Sequence, residues 1–189
     1  FCKLAEDDDE NDYFFIIDEI NRGNLSKIFG ELFMLIEKDK RGIELQLLYS
    51  DENFSVPPNV YIIGMMNTAD RSLAMLDYAL RRRFSFFTMK PGFNTPGFQA
   101  YQDSLKNDAL NKLIACVKQL NSKIVEDISL GEGFCIGHSY FCGLTPETAN
   151  AQILSSIVEY ELIPLLKEYW FDEPTKVIDW SERLRSTVI

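Results

Sequence analysis

Two apolar runs constrain this chain more than any other feature. YFFIID at 13–18 and VYIIGMMN at 60–67 are apolar at nearly every consecutive position and then end in polar groups. A strand with apolar side chains on both faces suits the middle of a parallel sheet, where neither face meets water. Between the runs, Asn24 is placed to cap a helix to about Lys38, with Leu25, Ile28, Phe29, Leu32, Leu35 and Ile36 as its apolar stripe. GIELQLLYSDENFSV then reads as a β-hairpin with SDEN at its tip, ended by Pro57 and Pro58. After the second run, SLAMLDYALRRRF reads as a helix and FSFFTM as a third apolar strand. Strand, helix, strand, helix, strand is the grammar of an open α/β sheet.

The character changes past Pro91. Gly and Pro at 91–97 mark a linker, and the remainder of the chain reads as helical. Leu110, Leu113, Ile114, Val117, Leu120 and Ile124 recur at i, i+3, i+4 and i+7. Thr145 and Pro146 resemble a cap and first-turn proline opening another helix, which Pro164 should kink or split. A last helix is expected from about Lys176 to Arg185. The acidic run EDDDEN before the first strand suits a solvated loop, and no internal repeat is visible. The expected division is an α/β part, 1–92, and an all-helical part, 93–189.

Bulk composition narrows the functional classes. The 189 residues are 46% hydrophobic, enough for a packed core, and carry a net charge of −10. That charge disfavours a broad nucleic-acid face on this segment, because phosphate contacts need clustered Lys and Arg. Cys2, Cys116, Cys135 and Cys142 form no CxxC pair, and Cys135, His138 and Cys142 fall short of the four ligands usual for zinc. Reduced thiols, the absence of a signal peptide and the lack of a ~20-residue apolar span suggest a cytoplasmic protein without a membrane segment. The chain opens on Phe1 in mid-pattern, as a piece of a longer protein would.

In open α/β sheets, ligands bind beyond the carboxyl ends of the strands, so IID-EIN and GMMNTADRS fall on the ligand side. Four apolar residues followed by Asp-Glu is the Walker B pattern of nucleoside triphosphatases. In it Asp18 would hold Mg²⁺, usually through water, and Glu19 would orient and polarise the attacking water. Ordinary strand-end acids are the competing reading. Asn67 falls where AAA+ ATPases carry the polar sensor that touches the γ-phosphate and the same water; a turn-forming Asn is the alternative. Of Arg81, Arg82 and Arg83, at most one or two can face one ligand, because successive helical residues turn by about 100°. A basic helix C-terminus favoured by the macrodipole explains them equally. Arg22 is a further candidate for phosphate contact.

FFIIDEINRGNLSKIFGEL, VYIIGMMNTADRSLAMLDYALRRRF and GFCIGHSYF, in that order, resemble the McrB family of GTPases within the AAA+ superfamily. The resemblance covers nearly the whole chain, and MNTADRS matches the family's signature. It implies an incomplete AAA+ P-loop-type parallel sheet with flanking helices and a β-hairpin insert, followed by a helical lid. It implies Asp18 and Glu19 as the Walker B pair and Asn67 as the signature Asn. Arg82, with Arg22 or Arg83 as alternatives, would contact a neighbouring subunit's nucleotide, and His138 with Ser139 would face the phosphates from the lid. It further implies GTP with Mg²⁺, a homo-oligomeric ring, a McrC-like nuclease partner, and DNA bound through an N-terminal domain. These residues contain no GxxxxGK[ST] phosphate loop, which the family carries upstream of Walker B. An ATP-using AAA+ remodeller and a non-catalytic interaction module are the alternatives.

Overall fold

The two apolar runs pair in parallel as β1 (Tyr13–Ile17) and β4 (Val60–Gly64), with Tyr13 opposite Val60 and Ile17 opposite Gly64. This computed structural model describes residues 1–48, 50–67, 69 and 81–188. Two compact units make up the chain, Phe1–Phe87 and Thr88–Ile189.

In the first unit, period-two geometry gives the sheet two unlike faces. Tyr13, Ile17, Val60 and Ile62 pack against buried Ala5, Ile20, Leu25, Phe33, Leu35 and Ile36. On the other face Phe14, Ile16, Tyr61 and Ile63 are between 44% and 59% exposed, and the rings of Phe14 and Tyr61 stack at 5.4 Å. The apolar pattern predicts burial of both faces, and one is exposed. Asn59 Nδ2 reaches the carbonyls of Ala5, Asp8 and Asn11, pinning the acidic loop and helix α1 (Cys2–Glu6) beside the sheet.

The helix expected from Asn24 is shorter than its apolar stripe suggests. Asn24 does cap it, accepting the Lys27 N–H at 3.0 Å, but α2 (Leu25–Phe29) ends at Gly30, whose φ of 50° is not helical. The chain continues as a 3₁₀ turn (Gly30–Met34), which buries Phe33 and leaves Ile28 exposed. The hairpin forms with two-residue strands, β2 (Leu45–Gln46) and β3 (Asn53–Phe54), paired antiparallel. The helix expected over SLAMLDYALRRRF lies outside the described residues through Leu80. FSFFTM makes no strand, and Phe86, Phe87 and Met89 are exposed. A parallel strand needs a neighbour offering N–H and C=O groups, and among the described residues this segment pairs with none.

The second unit is helical: α3 (Pro96–Leu105), α4 (Asp108–Glu126), α5 (Ala151–Ile157), α6 (Ile163–Tyr169) and α7 (Pro174–Ser186). The stripe of α4 is buried throughout and forms the centre of one core with Phe141, Leu154, Leu162, Leu166, Trp170 and Leu184. Thr145 and Pro146 open only a single turn, because Ala149 N–H returns to the Thr145 carbonyl and Asn150 then caps α5. Pro164 splits the next helix as expected. Lacking an N–H, it follows a π-helical stretch, Val158–Leu162, that separates α5 from α6. No helix among the described residues is long and apolar enough to cross a membrane.

Asp127, just past α4, ties this unit together. Its carboxylate accepts from Lys176 Nζ at 2.7 Å, Trp170 Nε1 at 2.8 Å, and the Ser129 hydroxyl and amide. These donors, Lys176 foremost, hold its carboxyl well below the usual carboxylate range. A depressed folded-state pKa adds stability above the unfolded value of about 4, and that stability fades as pH falls towards the folded one. Asp127→Asn should therefore destabilise the unit by about 1–2 kcal/mol at pH 7, measured by urea unfolding, with a smaller difference below about pH 3. A difference independent of pH would show that charge is not what Asp127 contributes.

Candidate functional site

At the carboxyl end of the parallel pair the two polar loops are hydrogen-bonded to each other. Met65 N–H donates to the Ile17 carbonyl at 2.9 Å, and Ile20 N–H donates to the Met65 carbonyl at 2.9 Å. The ladder thus extends past both strands and straddles Asp18 and Glu19. Asn21 Nδ2 reaches the Asn67 carbonyl at 3.5 Å, a second tie between the loops. Asp18, Glu19 and Asn67 are brought together on one strand-end surface, and all three are exposed.

Glu19 has φ 49° and ψ 45°, the left-handed region that a residue with a Cβ rarely occupies. Asp18 Oδ1 accepts the Glu19 N–H at 2.9 Å, and the Glu19 carbonyl accepts from Arg22 N at 2.8 Å. This tight reversal turns the chain from strand to 3₁₀ helix within two residues. Strain of that kind collects at functional sites. Asp18 keeps its second oxygen for a cation, which fits Mg²⁺, an ion ordinarily held by one or two carboxylates plus phosphate and water. Among the described residues, no three His, Cys, Asp or Glu side chains converge on a complete metal cage.

Asn67 forms a turn through its side chain, Oδ1 accepting from Ala69 N at 3.0 Å. The carboxamide NH₂ is the part left to donate to an oxygen of a ligand. Thr68 and Asp70–Ser72 of the MNTADRS motif lie outside the described residues.

The arginines separate by their surroundings. Arg22 forms an ion pair with Glu19 through Nε, both side chains about half exposed. Exposed pairs of this kind are worth at most about 1 kcal/mol, so an incoming group can displace it. Arg83 pairs with Glu37 and lies 4.3 Å over the Phe33 ring, largely shielded from water. That is an anchoring role within its own unit. Arg81 and Arg82, the first two of the basic triplet, are exposed.

His138 and Ser139 open a 3₁₀ turn (His138–Phe141) in the second unit. Ser139 is exposed, whereas His138 is half-buried, its Nδ1 accepting the Gly92 N–H at 2.9 Å and its ring edge-on to Phe93 and Phe98. Cys142 Sγ lies 3.5 Å from the His138 carbonyl.

Neither Asn21 nor Gly64 stands out among the candidates read from sequence. Gly64 closes β4, and a Cβ there would stand 2.5 Å from Ile20 Cδ1, the buried residue that follows Glu19. A glycine ending an apolar run is the signal of such a close approach.

A parallel strand pair with acids and an Asn bonded together at its carboxyl end, preceding a helical unit, defines an AAA-type nucleotide-hydrolase architecture with its lid. Residues 5–84 match the family model of the AAA domain (dynein-related subfamily), and residues 112–178 match the alpha-helical lid domain of McrB. The type IV methyl-directed restriction enzyme EcoKMcrB subunit of Escherichia coli (strain K12) is 50% identical over an alignment of 197 residues, covering 97% of this chain and 42% of that protein. The type II restriction enzyme BsuMI component YdiS of Bacillus subtilis (strain 168) is 29% identical over 143 residues, covering 65% of this chain and 42% of that protein. The chain thus carries an AAA domain followed by a McrB-type helical lid. It spans 42% of the length of each of these relatives.

The close approach at Gly64 gives a direct test of the junction. Gly64→Ala should push Ile20 out of its place and cost roughly 1–3 kcal/mol in stability of the first unit. Thermal unfolding of the two proteins checks this, and an unchanged midpoint would show that Ile20 adjusts without cost.

Proposed function

We propose that the whole protein carrying this chain is a GTP-hydrolysing, ring-forming motor that powers a McrC-like nuclease in restriction of modified DNA. The observation that supports hydrolysis is the bonded junction of Asp18-Glu19 with the Asn67 loop. Restriction of methylated DNA is supported by likeness to the EcoKMcrB subunit, whose name carries that activity. GTP rather than ATP, the ring, the nuclease partner and an N-terminal DNA-binding domain follow from the family resemblance. The functional division we infer is an α/β hydrolytic part, 1–92, and a lid, 93–189.

In this reading Asp18 would hold Mg²⁺ through water, and the ion would supply positive charge to the phosphate oxygens. Glu19, released from Arg22, orients the attacking water and accepts its proton. Asn67 donates its NH₂ to that water or to the γ-phosphate. The phosphate loop of the whole protein would hold the β- and γ-phosphates, and its strand would lie alongside β4. The exposed apolar face of Phe14, Ile16, Tyr61 and Ile63 is the kind of surface such upstream elements cover. The ion pairs of Arg22 and Arg83 also suit a non-catalytic module, and two experiments separate the readings.

In the whole protein, Glu19→Gln should leave GTP binding and assembly intact while lowering hydrolysis about a hundredfold or more. Asn67→Ala should act similarly. The double variant should lose far less than the product of the two, since both groups act on one water. Steady-state rates and nucleotide affinities read this out, and multiplicative losses would place the two residues on separate steps.

Arg82 is our first choice for an arginine reaching a neighbour's γ-phosphate, since its side chain is exposed while that of Arg83 is shielded within its own unit. An Arg82→Ala subunit would then fail the adjacent site, and a Glu19→Gln subunit would fail only its own. Mixing the two inactive proteins should restore part of the activity. Mixed rings that form yet stay inactive at every ratio would make Arg82 a residue of its own site or a surface charge.

A further inference from the structure

The chain passes into the second unit at Thr88, and Gly92 is the first buried residue it reaches there. Both backbone groups of Gly92 are held. Its N–H donates to His138 Nδ1 at 2.9 Å, and its carbonyl accepts from Thr95 N at 3.0 Å and Thr95 Oγ1 at 2.8 Å. The next residue, Phe93, is buried against the rings of Phe98, Phe141 and His138. Asn94 receives Lys118 Nζ from α4 at 2.7 Å. Each residue from 92 to 95 is therefore tied to the lid.

Gly92 and His138 are fitted to each other. A Cβ on Gly92 would stand 2.8 Å from the imidazole, so only glycine lets the ring lie this close to the backbone. Since Nδ1 accepts a hydrogen bond, the ring proton of the neutral imidazole sits on Nε2. A ring committed through Nδ1 and edge-packed by two phenylalanines is oriented for holding backbone.

We propose that His138 is a positioning residue: through Nδ1 it latches the Gly92 amide and so fixes the segment by which the chain enters the lid. The latch holds the backbone at the first buried residue of the lid, and a positioning role for it predicts an effect on turnover as well as on local opening. The effect on turnover rests on the hydrolase reading above. The latch itself does not.

Two substitutions in the whole protein separate the ring's nitrogens. His138→Asn keeps an acceptor at the distance of Nδ1 and removes Nε2. His138→Gln carries its amide out to the distance of Nε2 and removes the acceptor at Nδ1. Hydrogen exchange over 91–95 should stay close to the parent in His138→Asn and rise roughly three- to tenfold in His138→Gln. GTP turnover should follow the same order, with kcat falling in His138→Gln and largely rescued in His138→Asn, and KM changing little. The opposite order, with Gln active and Asn inactive, would assign His138 to a ligand contact through Nε2 and overturn the latch. Unchanged exchange in His138→Gln would overturn it as well, and so would loosened exchange with unaltered kcat. A parent protein that hydrolyses no nucleotide would fail the functional reading instead, and the exchange comparison would still decide the latch.

Discussion

Everything at this site hangs on the parallel ladder between β1 and β4. Five paired residues set the register, and two further hydrogen bonds carry it past the strands, Met65 to Ile17 and Ile20 to Met65. Side chains on a strand alternate with period two, so a slip by one residue would exchange the packed face for the exposed one. The acidic reversal and the Asn67 loop would then no longer face the same side. Gly64 permits the closest approach in this arrangement, because the space of its missing Cβ is filled by Ile20.

The charged groups divide between holding the fold and facing a ligand, and burial separates them. Arg83 is shielded by Phe33 and paired with Glu37, and Asp127 in the second unit is half-buried and held by Lys176 and Trp170. Removing one partner from such sites leaves the other desolvated and unpaired, which makes them anchors. Asp18, Glu19, Arg22, Asn67 and Arg82 keep their contact with water. The left-handed Glu19 is the exception in backbone terms, a strained residue held by bonds on both sides.

Much of the fold was legible from side-chain periodicity. The α4 stripe is buried residue for residue, and the two apolar runs are the paired strands. Periodicity misleads at places decided by neighbours or by single backbone angles. Gly30 ends α2 although the apolar pattern continues through Ile36. The Thr145 turn closes on Ala149 and leaves Asn150 to start α5. FSFFTM has the composition of a strand, yet among the described residues it pairs with none.

The sequence by itself determined which residues are available for chemistry: the Asp18-Glu19 pair, Asn67, the arginines and His138 all stand out by type and spacing. It also suggests a division into an α/β and a helical part near Pro91, where period and composition change. Only the tertiary structure decided what each of these side chains is free to do. Arg22 and Arg83 are engaged by Glu19 and Glu37, Asn67 commits its oxygen to a turn, and His138 commits Nδ1 to Gly92. The physical reason is that a side chain's type sets what it can donate, accept or neutralise. Which of those capacities remain depends on partners distant in sequence, as Gly92 is from His138, and only folding brings them within hydrogen-bond reach.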